Sequence, residues 1–339
     1  MKLKRYENNP IVTPDENNLW ESLITTNPAA HYDESSGKVI MLYRAAGNDI
    51  EHLIHLGIAE SADGFNFTKL SDSPVFSPLG GTTDGGCIED PRLVKFGDWY
   101  YLTYACRPFP NGQYWKGWDK EHFAEVYPDL PSPFSNNIIS TNLAFTKDFK
   151  SWIRAGRMTS PEVEDHDVII FPEKINGKYA ILHRPDLCGE EYGCEVPGIW
   201  VASTENPLEL NDSKLLAVAE KDWEGLKIGA NAPPIKTDAG WLMIYHGAGL
   251  DKYYRLGAML LDLEDPSIVI TRTPEAIFEP EEWYELAGCH SYKGVVFPGG
   301  NVVIDGKLIV YYGAADKYVG AAYCELDELV DFLLNSKYD

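Results

Sequence analysis

Two carboxylates, Glu89 and Asp90, stand directly before Pro91 and Arg92 in the stretch GGCIEDPRLVKFGDWYYLTYACRP, at the head of a strongly strand-like run. A carboxyl group beside an arginine at the mouth of a strand suits general acid or base work, and the plain alternative is a solvated turn. Other acids and cations hold similar positions ahead of strand-like runs or beside them: Asp165, His166 and Asp167 in EDHDVIIFPEK, Lys227 in LKIGAN, and Asp316 in GAADKYVG. The chain has no GxSxG, P-loop, GxGxxG or HExxH, so its chemistry has to come from carboxylates and cations.

The elements that must position these groups are set by an internal repeat. The segments SGKVIMLYRA, FGDWYYLTYA, NGKYAILHRP, DAGWLMIYHG and DGKLIVYYG each join a Gly-containing turn to a short, aromatic-rich apolar run. Taking Tyr43, Tyr104, His183, Tyr245 and Tyr311 as equivalent gives a period of about sixty residues, with one longer interval that contains an insertion at 109–137. A second, more exposed strand-like run follows most of the anchors, as in LGIAESADGFNFTKL and RLGAMLLDLEDPSIVI. Helical spacing appears only near the end, in ELDELVDFLLN. The pattern predicts an all-β, five-bladed β-propeller, a single domain over 1–339 with a short C-terminal helix. The 109–137 segment reads as a long loop over one face, either a surface excursion or a lid that meets substrate or another subunit.

In a propeller the innermost strands line a central channel, and alternate residues on them face it. The residues that follow the anchors are Arg44, Ala105, Arg184, His246 and Tyr312. Three cationic or titratable groups from different repeats predict an anionic ligand, unless each is paired with a nearby acid.

Composition narrows the partners. The 339 residues carry a formal charge of −23, which repels nucleic acid and anionic membranes. Aromatic residues make up 12% of the chain, compatible with sugar stacking and equally with β cores. Cysteines at 87, 106, 188, 194, 289 and 324 show no CxxC pairing, so we expect reduced thiols and no zinc site. No contiguous calcium loop is present, and no apolar run suggests a membrane span or a signal segment, so a cytoplasmic location is expected.

The motifs IEDPRLVKFGDWYYLTY, FPEKINGKYAILHRP, IYHGAG with YRLGAMLLDLEDP, and FPGGNVVIDGKLIVYYGAAD occur in that order and together resemble glycoside hydrolase family 130, chiefly the β-mannoside phosphorylases. The resemblance implies that inorganic phosphate attacks the anomeric carbon of a β-linked mannosyl unit with inversion, giving α-mannose 1-phosphate without a cofactor. By motif, Asp90 matches the general acid, acting through the sugar's own 3-hydroxyl. Arg184, Lys227 and His246 match phosphate ligands. Asn27, Arg44, Arg92 and Asp316 match residues that hold the mannosyl ring, with Asp167 grouped beside them. His166 stands where phosphorolytic relatives usually carry arginine, and a histidine can also donate to phosphate. Glu89 inherits no role.

The scheme accounts for a lone catalytic carboxylate, because an inverting hydrolase needs a second one to activate water whereas phosphate arrives anionic. Two alternatives remain: a β-mannosidase in which Glu89, Asp167 or another acid serves as base, and a non-catalytic carbohydrate-binding propeller. Linkage, acceptor sugar and oligomeric state are left open.

Overall fold

The computed structural model describes residues 1–113, 126–286 and 292–336. Among these residues it is all-β apart from three single-turn 3-10 segments, a four-residue α-helix, Trp283–Leu286, and a closing α-helix, Leu326–Asn335, where helical spacing is expected. Strands run up and down in antiparallel meanders. The first comprises Ile24–Asp33, Lys38–Ala46, Ile54–Ser61 and Thr68–Lys69, and the second Cys87–Phe96, Trp99–Arg107, Ser140–Thr146 and Ile153–Arg157. The third runs from Asp165–Ile170 through Tyr179–Pro185 and Ile199–Thr204 to Lys214–Ala217. In the next, Lys227–Ala230 and Ile235–Thr237 both pair with Gly240–Ala248, followed by Tyr254–Leu261 and Val269–Arg272. The last is Val296–Ile304, Lys307–Ala314 and Tyr318–Glu325, completed by Lys4–Arg5 from the other end of the chain.

Hydrogen bonding groups these strands into four sheets, of four, four, five and eight strands. The first two meanders share the largest sheet because Ile54 pairs in parallel with Cys87. Among the described residues no sheet closes into a barrel.

Successive side chains on a strand point to opposite faces, and here both faces are buried. Leu42, Leu56 and Ile58 pack with Leu93, Leu102 and Ala144 of the second meander, whereas Met41, Tyr43 and Ala59 pack with Val302, Ile309 and Ala321 of the last. Three further clusters join the second meander to the third, the third to the fourth and the fourth to the last. This double burial explains why runs such as VIMLY are continuously apolar rather than alternating.

The anchor residues are polar plugs in those cores. Tyr43 donates to Glu21 at 2.9 Å, Tyr104 to Asp84 at 2.7 Å, Tyr245 to Glu224 at 2.8 Å and Tyr312 to Glu285 at 2.7 Å. Each acid also takes a cation from the outermost strand of its meander, namely Lys69, Arg154, Arg272 and Arg5. In the third meander His183 substitutes, with Nδ1 at 2.8 Å from Asp165 and Nε2 at 2.9 Å from Ser213.

This pattern corrects the expected alignment: the last anchor is Tyr312, not Tyr311. Tyr43, Tyr245 and Tyr312 each lie opposite a glycine, Gly57, Gly257 and Gly320. A Cβ there would stand within 2.5 Å of the tyrosine ring. A one-residue slip exchanges the faces of a strand, so the residue after the last anchor is Gly313 and Tyr312 belongs to the core.

Candidate functional site

The leading strand of each meander is interrupted at one end. Register breaks fall between Thr26 and Ala29, between Glu89 and Arg92, and between His166 and Ile169. They hold Asn27, Asp90 and Asp167 at φ of 41°, 47° and 53°, the left-handed region that Asn and Asp tolerate best. Lys227–Ala230 breaks off at Asn231, and Val296–Ile304 bulges between Pro298 and Gly300. A bulge re-aims a side chain, and these bring groups from distant sequence together.

One group surrounds Asp90. Asn27 Nδ2 donates to Asp90 Oδ1 at 2.7 Å, and Arg44 Nη1 lies 3.1 Å from the same oxygen and 3.0 Å from Glu89 Oε2. Asp90 Oδ2 has no hydrogen-bond partner among the described residues, and 22% of the side chain is exposed. Glu89 differs. Burial pushes its carboxyl up, but Arg44 and Arg107 outweigh that and hold it below its ordinary value.

A second group surrounds Asp167, which is buried. Arg184 Nε donates to its Oδ2 at 2.6 Å, and Arg92 Nη2 approaches Oδ1 at 3.9 Å. Burial raises this carboxyl, yet Arg184, His246 and Arg92 keep it far below the usual carboxylate range. Gly229 makes the room: a Cβ there would stand 2.3 Å from Asp167 Oδ2 and 2.5 Å from His246 Cε1. Arg92 lies over Phe297 at 5.4 Å and donates through Nε to the Asn231 carbonyl. Its Nη2 is buried without a hydrogen-bond partner.

His246 packs against Tyr254 and Phe297 at 5.2 and 5.0 Å, with Nδ1 2.9 Å from Asn231 Oδ1. Burial brings its pKa down to about 3; Asp167 opposes the fall, and Arg184 and Lys227 deepen it. Lys227 extends over Tyr254 and Tyr292 at 5.5 and 6.0 Å and forms no salt bridge among the described residues. Burial, with Arg184, lowers its ammonium to about 8, and Asp167, Asp186 and Asp316 act the other way.

The structure thus brings together Asn27, Arg44 and Asp90, and brings together Arg92, Asp167, Arg184, Lys227 and His246. Asp316, at φ 54° after Lys307–Ala314, acts electrostatically on Lys227 and Tyr254. His166 lies across from Arg184, but its Nε2 is 3.5 Å from Glu164, whose carboxyl it holds down to about 2. Arg44 and Arg184 are paired with the chain's own acids, as the competing expectation has it, whereas Lys227 and His246 form no salt bridge among the described residues.

Asn231, Tyr254, Phe297 and Glu164 escaped the sequence reading. Asn231 had a signal: GANAPP occupies the place of TTNP, IEDP and DHDV in the other repeats.

The 109–137 insertion is partly described. Asn137 closes its base on Phe109, and Gly112 N and Gln113 Nε2 donate to Glu51 O and Asp49 O in the loop beyond Arg44. Its residues 114–125 lie outside the described residues, as does Cys289. The other five cysteines are free thiols. Among the described residues no cluster of three His, Cys, Asp or Glu side chains could hold a metal, and no helix is long and apolar enough to cross a membrane.

The family described as beta-1,4-mannooligosaccharide phosphorylase matches residues 2–116 and 134–335, leaving most of the insertion unmatched. The 1,2-beta-oligomannan phosphorylase of Thermoanaerobacter sp. (strain X514) is 37% identical over 97% of this chain and 99% of its own. The beta-1,2-mannobiose phosphorylase of the same organism is 32% identical over the same shares. Among solved structures, beta-1,2-mannobiose phosphorylase from Listeria innocua, in complex with beta-1,2-mannobiose, superposes with a TM-score of 0.79 at 27% identity, covering 99% of this chain and 100% of that one.

Proposed function

Because this chain belongs to glycoside hydrolase family 130, we propose that it is a β-mannoside phosphorylase acting on β-1,2-linked mannosides. The 1,2 linkage rests on the names of the two relatives at 37% and 32% identity. In this reading Asp90 is the general acid, Arg184, Lys227 and His246 bind phosphate with His166 at the edge, and Asn27, Arg44, Arg92 and Asp316 hold the mannosyl ring. A phosphate oxygen bonds to the anomeric carbon as the glycosidic C–O bond breaks, and the proton of Asp90 passes to the leaving oxygen. The products are α-mannose 1-phosphate and the shortened acceptor.

The observation that carries the proposal is an asymmetry between carboxylates. Asp90 is partly exposed and keeps one oxygen without a hydrogen bond among the described residues, while Glu89 and Asp167 are locked by arginines and held ionised. Asp167 as counter-ion to Arg184, rather than sugar ligand or water-activating base, weighs against hydrolysis. Phosphate itself supplies the nucleophile.

We read the cyclic packing of the meanders as a single five-bladed propeller domain. A cytoplasmic location fits a reaction whose charged product is retained by membranes.

The test is to incubate the protein with β-1,2-, β-1,3- and β-1,4-linked mannobioses, with and without phosphate. Phosphate-dependent mannose 1-phosphate is expected, from the β-1,2 substrate foremost. Free mannose at an equal rate without phosphate would make water the nucleophile and refute the cradle.

A further inference from the structure

The Asn231–His246 pair carries an unfilled hydrogen-bonding pattern. Both side chains are fully buried and they meet through Oδ1 and Nδ1 at 2.9 Å. Their remaining polar atoms, His246 Nε2 and Asn231 Nδ2, are buried with no hydrogen-bond partner among the described residues. Such atoms are costly unless a ligand completes them.

A neutral imidazole owns a single N–H. With that hydrogen on Nδ1 and directed to Asn231 Oδ1, Nε2 offers a lone pair and the amide offers a donor. Turning the amide over exchanges the two roles but still leaves one donor and one acceptor. The pair is therefore complementary to a ligand that presents an O–H beside an oxygen lone pair. Arg184, Lys227 and Arg92, opposed by the single carboxylate Asp167, act on the same ring, so the surroundings favour an anionic ligand.

We propose that Asn231 and His246 select phosphate in its monohydrogen form, His246 Nε2 accepting the P–OH hydrogen and Asn231 Nδ2 donating to a neighbouring oxygen. This rests on the phosphorolytic reading above and deepens it. Neutral His246 is then an acceptor on the anion rather than a positive charge beside it. With its hydroxyl held there, phosphate turns its unprotonated oxygens toward the anomeric carbon. The P–OH hydrogen stays on the ester formed, and the proton that reaches the leaving oxygen is that of Asp90.

Sulfate discriminates the idea, having the shape and charge of monohydrogen phosphate but no O–H at neutral pH. In the site it sets a lone pair against an acceptor. Monohydrogen arsenate keeps the O–H and should be accepted.

The experiment measures initial rates on β-1,2-mannobiose with the full chain, using arsenate as alternative nucleophile and sodium sulfate as competitor of phosphate. Expected are arsenate-dependent release of mannose and a sulfate inhibition constant at least about tenfold above the KM for phosphate. His246→Gln, whose amide can turn a donor to the anion, should narrow that ratio. Sulfate competing as well as phosphate in the wild type overturns the inference while leaving the phosphorylase reading intact. Turnover that ignores phosphate and arsenate alike defeats both.

Discussion

Arg184 Nε lies 2.6 Å from Asp167 Oδ2 with 7% and 2% of the two side chains exposed, a buried ion pair inside the proposed phosphate site. Removing one partner of such a pair leaves an uncompensated charge, at a cost of about 3–5 kcal/mol. Asp167→Asn should therefore lower the thermal unfolding midpoint markedly. Phosphate should recover part of the loss, since an anion bound only by the folded state stabilises it by mass action. A variant as stable as the wild type would mean that Arg184 does not depend on Asp167.

Asp90 makes its hydrogen bonds through one oxygen, and Arg44 retains Glu89 when that carboxyl is changed to an amide. Asp90→Asn should lower kcat by about 10²–10⁴-fold, the range for loss of a general acid, with the melting temperature almost unchanged. Near-normal turnover would remove Asp90 from the chemistry.

Lys227 has its ammonium lowered to about 8, first by burial and then by Arg184. Its cationic form is complete below that pH and lost above it, so kcat/KM for phosphate should decline as the pH rises through about 8. Lys227→Arg should move the decline upward, because a guanidinium stays charged there. A wild-type profile that is flat through this range would separate Lys227 from phosphate binding.

Glu285 receives Tyr312 at 2.7 Å and Arg5 at 2.9 Å. Glu285→Ala leaves a buried tyrosine hydroxyl and a half-buried arginine without this partner, at a cost of about 1–3 kcal/mol. Hydrogen exchange should then accelerate at Lys4 and Arg5, while the leading strands keep their protection. Uniform protection would show that backbone pairing holds this strand without the side-chain triad.

How far the sequence carried the architecture depended on burial. The repeats were legible because both faces of each strand are apolar, and the acids before strands were legible because Asp and Asn tolerate the bulge conformation. The same double burial hid the register: in KLIVYYG either tyrosine could be the anchor, and only the Glu285 bond and the facing Gly320 select Tyr312. The pairing of Arg184 with Asp167 depends on a bulge across two strands, which spacing cannot reveal. Asn231 went unnoticed because ANAPP carries no charge, although it stands where other repeats place Asn27, Asp90 and Asp167.

The strand Lys4–Arg5 pairs with Ala322 and Tyr323, at the far end of the chain. That contact joins segments far apart in sequence, and long-range pairings are slow to form because loop closure comes first. The proposed site residues, from Asn27 to Asp316, thus precede in the chain the strand that Lys4–Arg5 needs as a neighbour, so closure of this meander waits for a segment made later than the site itself.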